Sequence, residues 1–246
     1  MPDFLIFALV GFLAQLIDGV LGMAYGVSAT TFLLSFGIPP AIASASTHAA
    51  EVVTTGFSAA SHFGFGNVNR RLVRALLVPG VLGAVAGAYI LVSVPGERMR
   101  PFIAAYLLLM GILILAKARK RVAPREVTSH LVPLGLAGGF FDAIGGGGWG
   151  PIVTGTLLAR GNEPRETIGS VNFAEFFVTL AASLTFVLTI GLSQWRAIVG
   201  LACGGALAAP LAAWAARRVP ARVLMAVVGV VVILLSVRTM WLSVSS

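Results

Sequence analysis

Apolar stretches separated by short polar or glycine-rich joints run the length of the chain, at 4–22, 24–37, 41–64, 72–94, 100–116, 131–145, 150–160, 166–190, 196–216 and 221–243. A helix needs roughly 20 apolar residues to cross a hydrocarbon core about 30 Å thick. The runs 41–64, 72–94, 166–190, 196–216 and 221–243 meet that length, and 100–116 is marginal. By contrast 24–37, 131–145 and 150–160 are short and meet their neighbours at glycines, which predicts half-helices. The pattern is that of an all-α polytopic membrane protein.

The pattern also recurs. Shifted by 124 residues, Asp18, Gly22, Gly26, Thr30, Leu33, Leu34, Gly37, Pro40, Ser46, Ala50, Glu51 and Thr55 meet Asp142, Gly146, Gly150, Thr154, Leu157, Leu158, Gly161, Pro164, Ser170, Ala174, Glu175 and Thr179. One further residue of shift aligns Arg71, Gly80, Ala84 and Pro95 with Arg196, Gly205, Ala209 and Pro220. A fixed internal shift marks a duplicated unit. The expected organisation is a first transmembrane repeat at 1–117, a basic linker at 118–129 and a second repeat at 130–246. Each repeat has about five helical segments, the first two short or re-entrant. If each short pair returns to its own side, three net spans remain per half. Three is odd, so the halves are inverted.

Composition excludes a soluble enzyme. Of 246 residues 58% are hydrophobic and 11% charged, against about a quarter charged in soluble domains, and the mean hydropathy is +0.96. Seventeen Lys and Arg against nine Asp and Glu give a net charge of +8. In a soluble protein that balance would suggest nucleic acid, but here the basic residues fall between apolar runs and report topology. One face collects Arg70, Arg71, Arg74, Lys117, Arg119, Lys120, Arg121, Arg125, Arg160, Arg165, Arg217, Arg218 and Arg222, and the other Arg98, Arg100, Arg196 and Arg238. The linker is therefore expected in the cytoplasm and both termini on the outer side. Met1-Pro2-Asp3-Phe4 lacks a cationic leader region, so no cleavable signal peptide is expected. The single cysteine, Cys203, excludes an internal disulfide and a thiolate zinc site. Without GxxxxGK[ST], ATP-driven pumping by this chain is not expected. Inverted repeats of interrupted helices are the usual build of a secondary transporter with its site between the repeats.

Of the nine acids, Asp3, Glu97, Glu126, Glu163 and Glu166 fall at the chain start or in joints, whereas Asp18, Glu51, Asp142 and Glu175 fall within apolar segments as two repeat-related pairs. Intramembrane carboxyls are expensive and mark ion or proton pathways. Glu51 and Glu175, with Asp18 and Asp142, are the expected proton-coupling residues. For Asp18 and Asp142, beside glycine turns, capping of broken backbone is the competing reading. Ser44, His48, Glu51, Thr55, Ser58 and His62 share one face of an otherwise apolar helix, and their counterparts are Ile168, Asn172, Glu175, Thr179, Ala182 and Phe186. His48, Asn172, Thr55 and Thr179 are expected to bind substrate. Ser44 and Ser58 read as helix–helix hydrogen bonders.

Gly145-Gly146-Gly147-Gly148-Trp149-Gly150-Pro151 cannot continue a helix well. Pro151 suits the first turn of a new one, whose free N–H groups and positive dipole end favour an anion. Gly146, Gly147, Gly148 and Trp149, with Gly22, Tyr25 and Gly26 in the first half, are the expected anion-binding turns. Close helix packing is the competing reading for such glycines. Trp149 and Tyr25 occupy equivalent places, as gates or as packing. Neither a cofactor nor a bound metal is expected.

Gly139-Phe140-Phe141-Asp142-Ala143-Ile144-Gly145-Gly146-Gly147-Gly148-Trp149-Gly150-Pro151 and Gly169-Ser170-Val171-Asn172-Phe173-Ala174-Glu175-Phe176-Phe177 resemble the TauE/SafE, or sulfite exporter, family of membrane permeases. In the first half, Asp18-Gly19-Val20-Leu21-Gly22-Met23-Ala24-Tyr25-Gly26 departs from that family's more glycine-rich turn. The resemblance implies transport of sulfite, thiosulfate, sulfoacetate or related organosulfonates across a bacterial inner membrane. The expected partners are a small anion, protons and the lipid bilayer, with no nucleic acid, and a homodimer is compatible with these features. The alternatives are a passive anion channel and a divalent-metal transporter.

Overall fold

A computed structural model describes residues 4–21, 23–117, 129–215 and 221–244. Ten α-helices and one π-helical turn make up the described fold, with no strand among these residues. The first half holds α1 (Phe4–Leu21), α2 (Tyr25–Ser35), α3 (Pro40–Gly64), α4 (Arg70–Ser93) and α5 (Gly96–Lys117). The second holds α6 (Leu131–Gly145), a π-turn (Gly150–Thr154) running into α7 (Gly155–Ala159), α8 (Pro164–Thr189), α9 (Trp195–Ala215) and α10 (Ala221–Val244). Residues 118–128 of the expected linker and Gly22 of the first glycine turn lie outside the described residues.

Local sequence explains the boundaries. Both α3 and α8 open on a proline, which is preorganised for a first turn. Asn69 caps α4 by accepting from the N–H groups of Arg71 and Leu72, and Glu163 caps α8 through those of Arg165 and Glu166. The helix α6 ends in glycine: Gly146 has φ 65° and Gly147 φ 157°, and the Gly147 N–H closes onto the Asp142 carbonyl at 3.0 Å. At the corresponding break Ala24 holds φ 132°, a conformation costly for any residue with a Cβ.

Among the described residues three helices are long and apolar enough to cross a membrane: Arg70–Ser93, Gly96–Ala116 and Arg165–Thr189. The run 100–116, marginal by sequence, gains a first turn from Gly96 because Glu97, Arg98 and Arg100 are helical too. The 25-residue α3 has the length but stays outside this group because one of its faces is polar. Apolar side chains cover the exterior, Leu5, Phe57, Leu82, Phe102, Leu188 and Leu234 among them, while His48, Glu51, Asp142 and Asn172 are buried. This arrangement suits lipid as the surrounding solvent.

The halves are interwoven. The most extensive packings are α1 on α9, α4 on α6, α5 on α10, α3 on α8 and α4 on α8, followed by α3 on α9. Exchanging each helix for its counterpart maps this set onto itself. Small residues bring the backbones together. A Cβ on Gly139 would meet the Gly80 carbonyl, and one on Gly204 the Ala8 carbonyl, each within 2.0 Å.

Candidate functional site

The two breaks meet. The backbone of Gly26, at the start of α2, abuts Gly146 and Gly147, so closely that a Cβ on Gly26 would lie 2.7 Å from the Gly147 Cα. Around this junction lies a cavity of ≈10 Å³ lined by Asp18, Glu51, Asp142 and Glu175 together with Ala24, Tyr25, Gly26, Val27, Gly147, Gly148, Gly150 and Pro151. That volume holds about one water. Glu51 and Glu175 both stand eleven residues after the proline that opens their helix, about 16 Å along it, and thus reach the junction from α3 and α8 respectively.

Each aspartate caps the half-helix that follows it. Asp142 Oδ1 accepts from the N–H groups of Gly148 at 2.7 Å and Trp149 at 2.9 Å, and Asp18 Oδ1 accepts from that of Tyr25 at 3.3 Å. The N–H of Gly26 faces the Glu51 carboxyl, whose Oε2 is buried without a partner. The N–H groups of Tyr25, Gly148 and Trp149, which the sequence offers to an anion, are thus satisfied in this conformation by the chain's own carboxyls. Asp142 Oδ2 lies 3.1 Å from His48 Nε2, so an acid of the second half meets an imidazole of the first. Asn172 gives its Nδ2 to Ser58 Oγ at 3.0 Å and leaves Oδ1 unpartnered.

The aromatic residues pack across the halves. Tyr25 donates its hydroxyl to the Leu201 carbonyl of α9 at 3.1 Å, with its ring against Gly205. The Trp149 indole donates to Val171 O at 3.1 Å and fills the space that a Cβ on Gly80 of α4 would need. Glycine at position 80 is what admits the Trp149 ring, whereas at the repeat-related Gly205 a Cβ would first meet Thr54 Cγ2, at 2.7 Å. Thr55 turns its hydroxyl back to the Glu51 carbonyl of its own helix at 2.7 Å, whereas Thr179 Oγ1 is buried and unpartnered. His48, Thr55, Gly146, Trp149, Asn172 and Thr179 do not line the cavity at the junction. Ser44 and Ser58 make helix–helix hydrogen bonds, to Ala143 O at 2.6 Å and from Asn172.

The sulfite exporter TauE/SafE profile matches residues 7–239. The chain belongs to that family. Among curated proteins this TauE/SafE chain is similar to "Probable membrane transporter protein YtnM" of Bacillus subtilis (strain 168), with 43% identity over 250 aligned positions covering 98% of this chain and 83% of the relative. No solved structure matches it. The family is one of membrane transporters rather than enzymes.

Two residues that hold this TauE/SafE junction together escaped the sequence reading. Thr30 Oγ1 donates to the Gly146 carbonyl at 2.6 Å and lies 2.9 Å from Thr47 Oγ1. Its recurrence as Thr154, whose hydroxyl is buried and unpartnered, was the available signal. Tyr106 donates to Gly147 O at 3.2 Å and was signalled only as a hydroxyl within the apolar run 100–116.

The two faces of this family member differ. On the face holding Arg70 and Arg165, contacts between the halves are polar: Arg165 Nε donates to Asn67 Oδ1 at 2.6 Å and Asn69 N to Ser170 Oγ at 2.8 Å. On the other face Arg100 and Arg238 donate to the Leu34 and Ser35 carbonyls at 3.0 and 2.6 Å, capping the end of α2. There a cleft of ≈490 Å³ opens between Pro39, Ile42, Val92, Pro95, Ile190 and Ser193. Below Ile190 along α8, the ring of Phe186 lies 5.9 Å from that of His48.

Proposed function

We propose that this chain is a secondary transporter of small sulfur-containing anions, such as sulfite, thiosulfate, sulfoacetate or other organosulfonates, coupled to protons and working by alternating access across a bacterial inner membrane. The observation that carries the reading is the convergence of both helix breaks and all four intramembrane acids on one closed polar cavity between the halves. In a membrane interior an unpartnered polar atom is costly. Glu51 Oε2, which borders the cavity, is such an atom, and it gains a partner when the carboxyl takes up a proton or a hydrated ligand brings in water.

The same geometry links anion to proton. An incoming oxyanion must replace a carboxylate at the N–H groups of Gly26, Gly148 or Trp149. Protonating that carboxyl frees the N–H and removes the repulsion, so proton and anion favour each other's binding. Glu51 and Glu175, assisted by Asp18 and Asp142, handle the proton in this scheme, and the two aspartates also hold the half-helices in place. With room for about one water, the cavity represents an occluded state, closed by polar contacts on the basic, cytoplasmic face and approached by the cleft on the outer face. Inverted repeats sharing one site at their interface are suited to opening each face in turn.

Counterflow tests this. Proteoliposomes loaded with unlabelled sulfite or thiosulfate should take up the 35S-labelled anion transiently above its equilibrium level, and the uptake should saturate. Unitary currents without counterflow would replace the carrier with a channel. Silence across sulfite, thiosulfate, sulfoacetate and taurine with folded protein would remove the sulfur assignment.

A further inference from the structure

The geometry around His48 fixes a proton count. His48 is completely buried, and its Nδ1 lies 2.8 Å from the Ser44 carbonyl oxygen and 3.3 Å from Ser44 Oγ. A carbonyl only accepts, and Ser44 Oγ gives its own hydrogen to Ala143 O, so Nδ1 carries a hydrogen. Nε2 then faces Asp142 Oδ2 at 3.1 Å. A bare Nε2 against an ionised carboxylate would oppose two lone pairs. One further proton makes the contact a hydrogen bond, held either as imidazolium with carboxylate or as imidazole with carboxylic acid.

The arrangement occurs once. At the repeat-related place the counterpart of His48 is Asn172, whose Nδ2 is committed to Ser58 and which does not titrate. The contact also bridges the halves, because His48 stands on α3 and Asp142 on α6. Three residues further along the same face of α3 is Glu51, which lines the same cavity as Asp142 and whose Oε2 is an unpartnered acceptor. The titratable groups around the pair are Glu51 on α3, Asp18 on α1, Tyr25 on α2, Glu175 on α8 and Tyr106 on α5. From α4, Gly83 and Gly87 pack on the Leu136 and Phe140 carbonyls of α6.

We propose that His48 and Asp142 together hold the single proton coupled to each transported anion, and that this contact is the latch between the halves. The inference rests on the transport reading above and assigns its coupling site. When an anion takes the Gly26 N–H, the proton passes from the pair to Glu51 Oε2, directly or through the one water the cavity admits. The N–H or O–H bond at the pair breaks and an O–H bond forms at Glu51. What remains between Nε2 and Asp142 is repulsion, which opens the latch.

Two measurements test the proposal. The chain has three histidines, His48, His62 and His130, so 15N-imidazole NMR of the whole protein in lipid resolves His48, assigned by its loss in His48→Gln. The expected spectrum shows Nδ1 protonated, with a hydrogen shared between Nε2 and Asp142. In Asp142→Asn, which keeps an oxygen for the Gly148 and Trp149 N–H groups, Nε2 should become a plain acceptor. A bare Nε2 in the wild type throughout pH 6–8 would overturn the proposal, whatever the substrate. In vesicles clamped at zero voltage, thiosulfate accumulation should reach about tenfold per pH unit, the limit for one proton, and fall to about onefold in Asp142→Asn. About hundredfold would overturn the single proton. Accumulation retained in Asp142→Asn would overturn the coupling role alone, whereas none in the wild type would overturn that role and the transport reading together.

Discussion

Adding one methyl group at Gly26 tests whether the two helix breaks are held together as the structure has them. The new Cβ of Gly26→Ala would stand 2.7 Å from Gly147 Cα and 2.8 Å from Gly146 O, whereas carbon atoms pack best about 3.5–4.0 Å apart. Both obstacles are backbone, so no side chain can swing aside, and the breaks must separate by about 1 Å. Overpacking of this kind costs about 1–3 kcal/mol. It also shifts the Gly26 N–H from the Glu51 carboxyl, which should reduce anion flux by more than the stability loss explains. Gly64→Ala is the control, since a Cβ there meets nothing within 4 Å and replaces glycine at the end of α3. Thermal unfolding in detergent, followed by tryptophan fluorescence, should place Gly26→Ala clearly below the wild type and Gly64→Ala level with it or above. Wild-type unfolding and flux in Gly26→Ala would refute the close apposition of the breaks.

Other expectations follow from the caps and the strain. Asp142→Ala strands the N–H groups of Gly148 and Trp149 and the His48 imidazole, while Asp18→Ala strands only that of Tyr25; at about 1–3 kcal/mol per unsatisfied group, the first should unfold at the lower temperature, and the reverse order would contradict the capping assignment. Ala24→Gly relieves the positive φ of Ala24 and should stabilise the protein by about 1 kcal/mol in the same assay. Trp149→Phe loses the indole bond to Val171 O and should cost about 1 kcal/mol.

Much of the architecture is legible in the chain because each signal is local. Apolar runs end where Pro40, Asn69, Glu163 or Gly146 ends them, and a shift of 124 residues relates Asp18 to Asp142 and Glu51 to Glu175. Those acids stand out through the cost of carboxyls in an apolar segment, and the structure gathers all four at one cavity. Less legible is what each acid touches. Whether Asp142 caps backbone or only exchanges protons depends on Gly148 and Trp149 folding back onto it, a consequence of positive φ at Gly146 and Gly147. The pairing of His48 with Asp142 spans 94 residues, and that of Thr30 with Gly146 spans 116. Neither has a local pattern, because helix packing between the halves creates both. Thr55 shows the converse: its place on the polar stripe suggests the site, yet its hydroxyl satisfies its own helix, as threonine in apolar helices readily does.

The central claim is that an anion and a proton share the junction where the helix breaks meet, with Glu51 as the group that yields its place to the anion. The most direct measurement is the current recorded from proteoliposomes on a solid-supported membrane, with thiosulfate or sulfite jumps at matched and unequal pH, for wild type and Glu51→Gln side by side. The account predicts a saturable current in the wild type that grows with the pH gradient, and in Glu51→Gln a response that no longer depends on that gradient. Equal pH-dependent currents in both proteins would contradict it.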